Sequence, residues 1–383
     1  MHHKHRERGY RSSTQKNAIL LITIVLLAVL LGLLLWMNKK DEEKKSAELQ
    51  AINAKLYQEE QEKAEALKQK EENDSFYQRL ADGFDVNVLI VGDSIAQGTG
   101  ASSKETHWSM KLEKYIEEKY NVNVTTTNIS MGGNASYAGY VRTLALNDHI
   151  DYNLAIICYG HNDKTDGFST EYESIIRAIR GKYQDCSIVS ILESSQLEYT
   201  EKMKTIQDIC GYYDIPVVDT IEAFNNSEKA YEDLTVDGVH PNDDGQELYF
   251  EVIKKAIDEN VTESTGKMDE KQVINEDVHK YDNFVWYDAF SDFSRADETT
   301  FILNTKASGI LGIDYTYESG DNQADIYIDG ELYESPTVTF DYDFSQRHIL
   351  VVSEECTVEK EIKVIFSTKE QADGFRGICF SWK

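Results

Sequence analysis

The stretch VNVLIVGDS (86–94) joins a β-branched apolar run of strand length to an abrupt Gly92-Asp93-Ser94 ending. Val and Ile favour a pleated surface, and the glycine and acid that follow end a strand and begin a helix. Outward from this run the chain alternates. Residues 106–120 have helical spacing through Trp108, Leu112, Tyr115 and Ile116, and VNVTTTNIS (122–130) is strand-like. Tyr137 to Leu146 is helical. NLAIICYG (153–160) is a continuous apolar run, as in a strand covered on both faces. Helices around 175–182 and 199–213 alternate with strands at 186–194 and 215–219, and a helix at 245–260 closes the series. Such β-α alternation predicts an α/β domain over 82–260, a parallel sheet between two helix layers.

The flanks have other characters. Residues 261–280 are polar and read as a linker. From 281 to 383, FILNTKA, ILGIDYTYE, ADIYIDGELY, TVTFDYD, HILVVSE, EIKVIFSTK and FRGICFSWK are short strand-like runs with no helical stretch between them. Asp329-Gly330 marks a hairpin turn. This predicts an all-β sandwich. On the N-terminal side, Ala18 to Met37 is an uncharged run of twenty residues, about 30 Å as a helix and enough for a bilayer core. A signal peptide is the rival reading, but the run exceeds the usual signal core and no small-residue cleavage site follows. The sequence therefore predicts a basic cytoplasmic tail (1–17), a transmembrane anchor (18–37) and a charged helical stalk (38–81). The stalk would be about 60 Å long if wholly helical. Lys4, Arg6, Arg8, Arg11 and Lys16 precede the span and Lys39, Lys40, Lys44 and Lys45 follow it, so the charge bias is small. The short basic head is expected inside, placing the α/β and all-β domains on the extracytoplasmic side of the cell membrane.

The chain has 383 residues and a formal net charge of −29, which repels phosphate backbones and argues against a nucleic-acid partner. Its five cysteines are scattered, with no metal-site spacing. A Cys356–Cys379 bridge is the one pairing the C-terminal region would allow after export, and an odd, scattered count does not suggest a disulfide scaffold.

Four short motifs fall at predicted strand ends, where ligands of parallel sheets bind. Ser94 follows the first strand; alone, Gly-Asp-Ser could be only a helix cap. Asp237-Gly238-Val239-His240-Pro241 can set a carboxylate beside an imidazole, as a base for a serine requires, yet it also suits a surface turn. Asp and His are metal ligands too, but no third and fourth ligand stand out, so no metal is expected. Gly160-His161-Asn162-Asp163 offers an amide that can donate to an oxyanion, and Met131-Gly132-Gly133-Asn134 offers exposed backbone N–H groups.

In this order the motifs resemble the SGNH (GDSL-type) hydrolase family, over about Asn87 to Phe250. The flanks NVLIVGDSIAQG, TTTNISMGGNAS, CYGHNDK and VDGVHPNDDGQ carry the likeness. The resemblance implies a three-layer α/β/α fold and cleavage of esters or thioesters without a cofactor. It implies Ser94 as nucleophile, His240 as base and Asp237 as its partner. The oxyanion hole would be the N–H of Ser94, the N–H of Gly133 and the side chain of Asn162, with Gly132 the competing glycine. Ile95 stands where leucine is commoner. His161 either faces substrate or merely ends a strand, and Asp93 and Asp163 are expected to brace loops.

The C-terminal segment more loosely resembles jelly-roll modules that accompany some carbohydrate acetyl esterases. This implies an acylated carbohydrate substrate, with O-acetyl removal from a cell-envelope or extracellular polysaccharide as the expected reaction. Trp286, Tyr287 and Trp382 could stack on sugars or simply fill the sandwich core. An O-acetyltransferase working with a membrane partner is the enzymatic rival, and a non-catalytic surface glycan-binding protein is the other.

Overall fold

A computed structural model describes residues 10–267 and 269–383, with side chains from Gln15 onward. Residues 1–9 of the predicted basic tail, and Met268 in the predicted linker, lie outside the described residues. The chain divides into two compact units, one ending at Asn73 and one running Asp74–Lys383.

The first unit is a single helix, α1 (Tyr10–Asn73). Its apolar residues are exposed all round between Ile19 and Met37, and the helix is long and apolar enough to cross a membrane. Its polar half carries i,i+4 ion pairs such as Lys55–Glu59 and Lys68–Glu72, each contributing a few tenths of a kcal/mol.

The second unit begins at Asp74, earlier than the boundary at 82 that the charged stretch suggested. Ser75 forms a capping box with Gln78 and starts a separate helix, α2 (Phe76–Asp82). Phe76, Tyr77 and Leu80 are buried in the domain core. The density of charge up to residue 73 masks this short apolar face in the sequence.

The α/β domain follows the expected alternation. It contains β1 (Val86–Gly92), α3 (Ser94–Gln97), α4 (Trp108–Tyr120), β2 (Val124–Asn128), α5 (Ser136–Ala145), β3 (Leu154–Cys158) and α6 (Phe168–Lys182). It continues with β4 (Ser187–Leu192), α7 (Glu201–Tyr213), β5 (Val217–Asp219), α8 (Thr220–Asn225) and α9 (Asp243–Thr262). The five strands are parallel in the order β2-β1-β3-β4-β5. Strand order reverses beside β1, so a crevice opens at the carboxyl ends of β1 and β3. One face of the sheet buries Leu89, Val91, Ala155 and Ile157 with α5, α6 and α7, and the other buries Val88, Ile90, Leu154 and Ile156 with α2, α4 and α9.

The predicted linker is strapped to the domain. Buried Glu173 on α6 accepts the N–H of Ile274 (2.8 Å) and of Asn275 (3.1 Å). Beyond it lie β6 (Asn283–Asp288), β7 (Ser294–Arg295), β8 (Thr300–Asn304), β9 (Ala307–Tyr317), β10 (Gly320–Ile328) and β11 (Glu331–Glu334). Then come β12 (Thr337–Phe340), β13 (Gln346–Val358), β14 (Glu361–Phe366), α10 (Lys369–Asp373) and β15 (Phe375–Trp382). They form two antiparallel sheets, β13-β9-β15-β6 and β11-β10-β14-β8-β7 with β12 beside β10, around an aromatic-rich core. The hairpin turns at Asp329 and Gly330, both left-handed (φ 52° and 93°). The short α10, capped by Thr368, is a helix the strand-like pattern did not predict. Strand β13 shifts register twice, between Val351 and Ser353 and between Ser353 and Cys356. All five cysteines are buried free thiols, so Cys356 and Cys379 are not bridged.

The two halves of this unit share a core. Ile310, Ile349 and Cys379 of the β-domain pack with Tyr137 and Tyr140 of α5, and Tyr140 Oη donates to Tyr281 O (3.0 Å). Asn134, 2% exposed, pairs with β13 as if it were a strand. Its Nδ2 donates to Arg347 O and its Oδ1 accepts from Ile349 N, each at 2.9 Å. Its Nδ2 also reaches Gly132 O (2.9 Å). Asn134→Ala would leave a buried N–H and carbonyl unpaired, an expected loss of about 2–3 kcal/mol. Asn134→Asp, which sets a carboxylate oxygen against the carbonyls of Gly132 and Arg347, should lose at least as much. Urea unfolding of residues 74–383 measures both.

Candidate active site

Asp93 caps α3 by accepting the N–H of Ile95 (2.9 Å), which sets Ser94 at the first helical position directly after β1. On the far side of the crevice a tight turn joins Thr235 to Pro241, closed by Val236 N donating to His240 O (2.9 Å). In that turn Asp237 Oδ1 accepts the N–H of His240 (2.8 Å) and of Val239 (3.0 Å). Asp237 Oδ2 lies 2.6 Å from His240 Nδ1, and His240 Nε2 lies 2.9 Å from Ser94 Oγ. Burial raises the Asp237 pKa, but the hydrogen bonds from His240 and Val239 outweigh it and hold the group below the usual carboxylate range. An ionised carboxylate only accepts, so Nδ1 carries the imidazole proton and Nε2 accepts from the Ser94 hydroxyl. This is the arrangement that lets an imidazole draw a proton from a serine.

The oxyanion candidates are unequal. The N–H of Gly132 donates to Gln97 Oε1 (3.0 Å), whereas those of Ser94 and Gly133 have no partner among the described residues. Gly133 is left-handed (φ 71°), and any Cβ there would meet Gln346 Oε1 and His348 Cε1 at 2.9 Å. Asn162 lines the same cleft, but its Nδ2 donates to Asp93 Oδ2 (3.0 Å) and to Asn134 O (3.2 Å). His161 also lines the cleft, half-buried, its pKa lowered by burial and by nearby Lys202 and His240. Asp163 braces the loop before α5 by accepting Ser136 N (2.8 Å).

Several residues of the site carried no sequence signal that was read as functional. Glu193, at the end of β4, accepts the N–H of His161 (2.7 Å) and is hydrogen-bonded to Asp93. Both acids are wholly buried, and burial raises both pKa values; Asp93 raises that of Glu193 further, whereas the hydrogen bond with Glu193 lowers that of Asp93. The cleft, about 980 Å³, has its outer wall in the β-domain: Phe340, Tyr342, Phe344, Gln346 and His348. Phe340, Tyr342 and Phe344 recur at every second position with Asp341 and Asp343 between, a one-face pattern visible in the sequence. Of the aromatics singled out there, Trp286 packs at the junction with the α/β domain and Tyr287 on the sandwich core, while Trp382 is 38% exposed. None of the three lines the cleft.

Residues 90–248 match the profile of the GDSL-like lipase/acylhydrolase family. The match lies wholly within the α/β domain, which is a serine hydrolase domain similar to that family, with a β-domain fixed to its C-terminal side. A solved two-domain esterase active on acetylated mannans, co-crystallised with mannopentaose, aligns with a TM-score of 0.66 at 17% identity, covering 80% of this chain and 93% of that one. A second structure of a two-domain esterase active on acetylated mannans aligns at 0.64 with the same identity and coverage. These likenesses extend the shared fold beyond the GDSL-like domain to the pair of domains. No curated protein matches the chain.

The buried acid pair predicts a pH effect. The Asp93 pKa is raised, so the folded chain holds a proton that the unfolded chain gives up near pH 4. This contribution to stability is complete below about pH 4 and declines as pH rises toward the raised value. The urea midpoint of residues 74–383 should fall between pH 5 and 7.5, with a shallower fall in Asp93→Asn. Equal slopes in the two proteins would mean that Asp93 does not hold the proton.

Proposed function

We propose that this chain is a membrane-anchored, extracytoplasmic serine esterase that removes O-acetyl groups from a cell-envelope or extracellular polysaccharide. The reading rests on one observation above all. The Ser94–His240–Asp237 line opens onto a cleft whose opposite wall presents aromatic rings to solvent. Tyr342 is 60% and Phe344 51% exposed, with ring centroids 5.3 Å apart and planes 36° apart. Flat apolar rings beside a polar site suit the C–H faces of sugar rings. Acetylated mannans, the substrate of the two-domain esterases that share the fold, are of this class.

In the reaction proposed, Ser94 Oγ attacks the acetyl carbon as His240 Nε2 takes its proton. Asp237 stabilises the imidazolium, and the N–H groups of Ser94 and Gly133 together with the Asn162 side chain hold the developing oxyanion. Collapse expels the sugar oxygen, which takes the proton from His240. Water, activated by the same imidazole, then releases acetate. The α1 helix supplies the anchor, with its basic head retained in the cytoplasm.

Ser94→Ala should abolish hydrolysis of an aryl acetate and acetate release from acetylated glycans, followed by mass spectrometry of the products. Fast cleavage of long acyl esters with no acetate from any glycan would overturn the substrate assignment, and acetyl gain by a glycan acceptor would make the enzyme a transferase. Protease shaving of intact cells that spares residues 74–383 would reverse the orientation. Tyr342→Ala and Phe344→Ala should each raise KM for the polymer about tenfold, the worth of roughly 1.4 kcal/mol, and leave aryl acetate turnover unchanged.

A further inference from the structure

We propose that Lys202 of α7 is a positioning residue of the esterase site: its ammonium binds the main-chain carbonyls on both sides of Asn162 and so holds that side chain where it can donate to the oxyanion. The proposal rests on Ser94 as the nucleophile and Asn162 as an oxyanion donor. It starts from the loop that carries Asn162. Strand β3 ends at Cys158 and α6 begins at Phe168, so Asn162 sits on a stretch with no helix or strand of its own. A donor that meets a transition state must nonetheless be held to within about 0.5 Å. The loop runs tight against α7. Gly160 has a positive φ of 140°, and a Cβ there would collide with Met203 Cε, from the residue after Lys202.

Lys202 supplies the restraint. Its Nζ donates to Gly160 O, to Asp163 O (2.8 Å) and, at 3.4 Å, to His161 O. None of these three carbonyls has another partner among the described residues. Three carbonyls turned toward one point call for a compact group with three donors and no acceptor, which describes a lysine ammonium. The rest of the loop is tied elsewhere. His161 N donates to Glu193 Oε2 (2.7 Å), and Asp163 Oδ1 accepts from Ser136 N (2.8 Å). The loop is thus pinned to the end of β4, to the start of α5 and, through Lys202, to α7. Between these anchors Asn162 faces the cleft, its Nδ2 3.0 Å from the carboxyl of Asp93, the residue before the nucleophile. The lysine itself leaves a fixed turn: Thr200 caps α7 by accepting the N–H of Met203 (3.4 Å), and Met203 is wholly buried. Lys202 is half-buried and does not line the cleft, so it acts through Asn162 and not on substrate.

The test is a double-mutant cycle on the full-length chain in detergent, with an aryl acetate as substrate. Lys202→Met keeps the apolar stem and removes the three donors. It should lower kcat about tenfold with KM unchanged, because the oxyanion exists only in the transition state. Asn162→Ala should lower kcat about 10²-fold, the effect of one lost oxyanion donor. The variant carrying both changes decides: if Lys202 acts through Asn162, it is no slower than Asn162→Ala. A further tenfold loss in that variant overturns the proposal, since an ammonium acting directly on the charge, or on the fold at large, keeps its effect when Asn162 is gone. Wild-type kcat in folded Lys202→Met overturns it as well, as does a change confined to KM. If the melting temperature shows Lys202→Met to be unfolded, Lys202→Gln, which keeps an N–H donor, carries the same cycle. Failure of the underlying reading is separately visible and removes the proposal with it: Ser94→Ala or Asn162→Ala would then turn over the aryl acetate at the wild-type rate.

Discussion

One carboxamide, that of Asn134, sets the geometry on which the site depends. The Asn134 side chain completes the hydrogen bonding of the outer strand of the β-domain, and the main-chain carbonyl of the same residue receives the amide of Asn162. Asn162 in turn binds Asp93, which caps the turn presenting Ser94. A continuous series of hydrogen bonds therefore runs from the β-domain to the helix turn that carries the hydroxyl. The β-domain cannot shift against the α/β domain without disturbing the Gly132–Gly133 turn. Buried polar groups joined in this way are costly to break singly, because each removal strands a partner out of reach of water.

The second constraint is electrostatic. Two buried carboxyl groups, Asp93 and Glu193, lie beneath a site that must stabilise negative charge. Were both ionised they would oppose the oxyanion from behind. Burial favours the protonated form of both, and Asp93 adds to this for Glu193, so they serve as hydrogen-bonding struts. Asp237 is treated in the opposite way. It is half-exposed and receives three hydrogen bonds, so it stays charged where a developing imidazolium needs a partner.

Much of the α/β architecture was legible in the sequence because buried parallel strands leave apolar runs that end in short polar motifs. VNVLIVGDS and NLAIICYGHND each carry both signals, and the turn from Asp237 to His240 closes within one motif. What the sequence hid was long-range. Gln346 lies 252 positions from Ser94, and no local pattern pairs them. Glu193 ends a strand like any polar residue, and its role follows only from β4 lying beside β3. Composition misled at Phe76, Tyr77 and Leu80, whose heavily charged neighbourhood conceals a buried face. For the aromatics, Trp286 drew notice by size, but the alternating Phe340, Tyr342 and Phe344 reach the cleft.

The irregular course of β13 bears on how the molecule behaves among copies of itself. An outermost strand offers a row of unused backbone groups that can recruit another chain and seed an aggregate. Here Asn134 occupies one end of that row, and further along the two register shifts break the straight edge between Val351 and Cys356, where Glu354 and Glu355 face solvent. A second molecule would find neither a flat ladder nor a neutral one. The features that give this strand a place in the cleft thus also make it a poor template for intermolecular sheet growth.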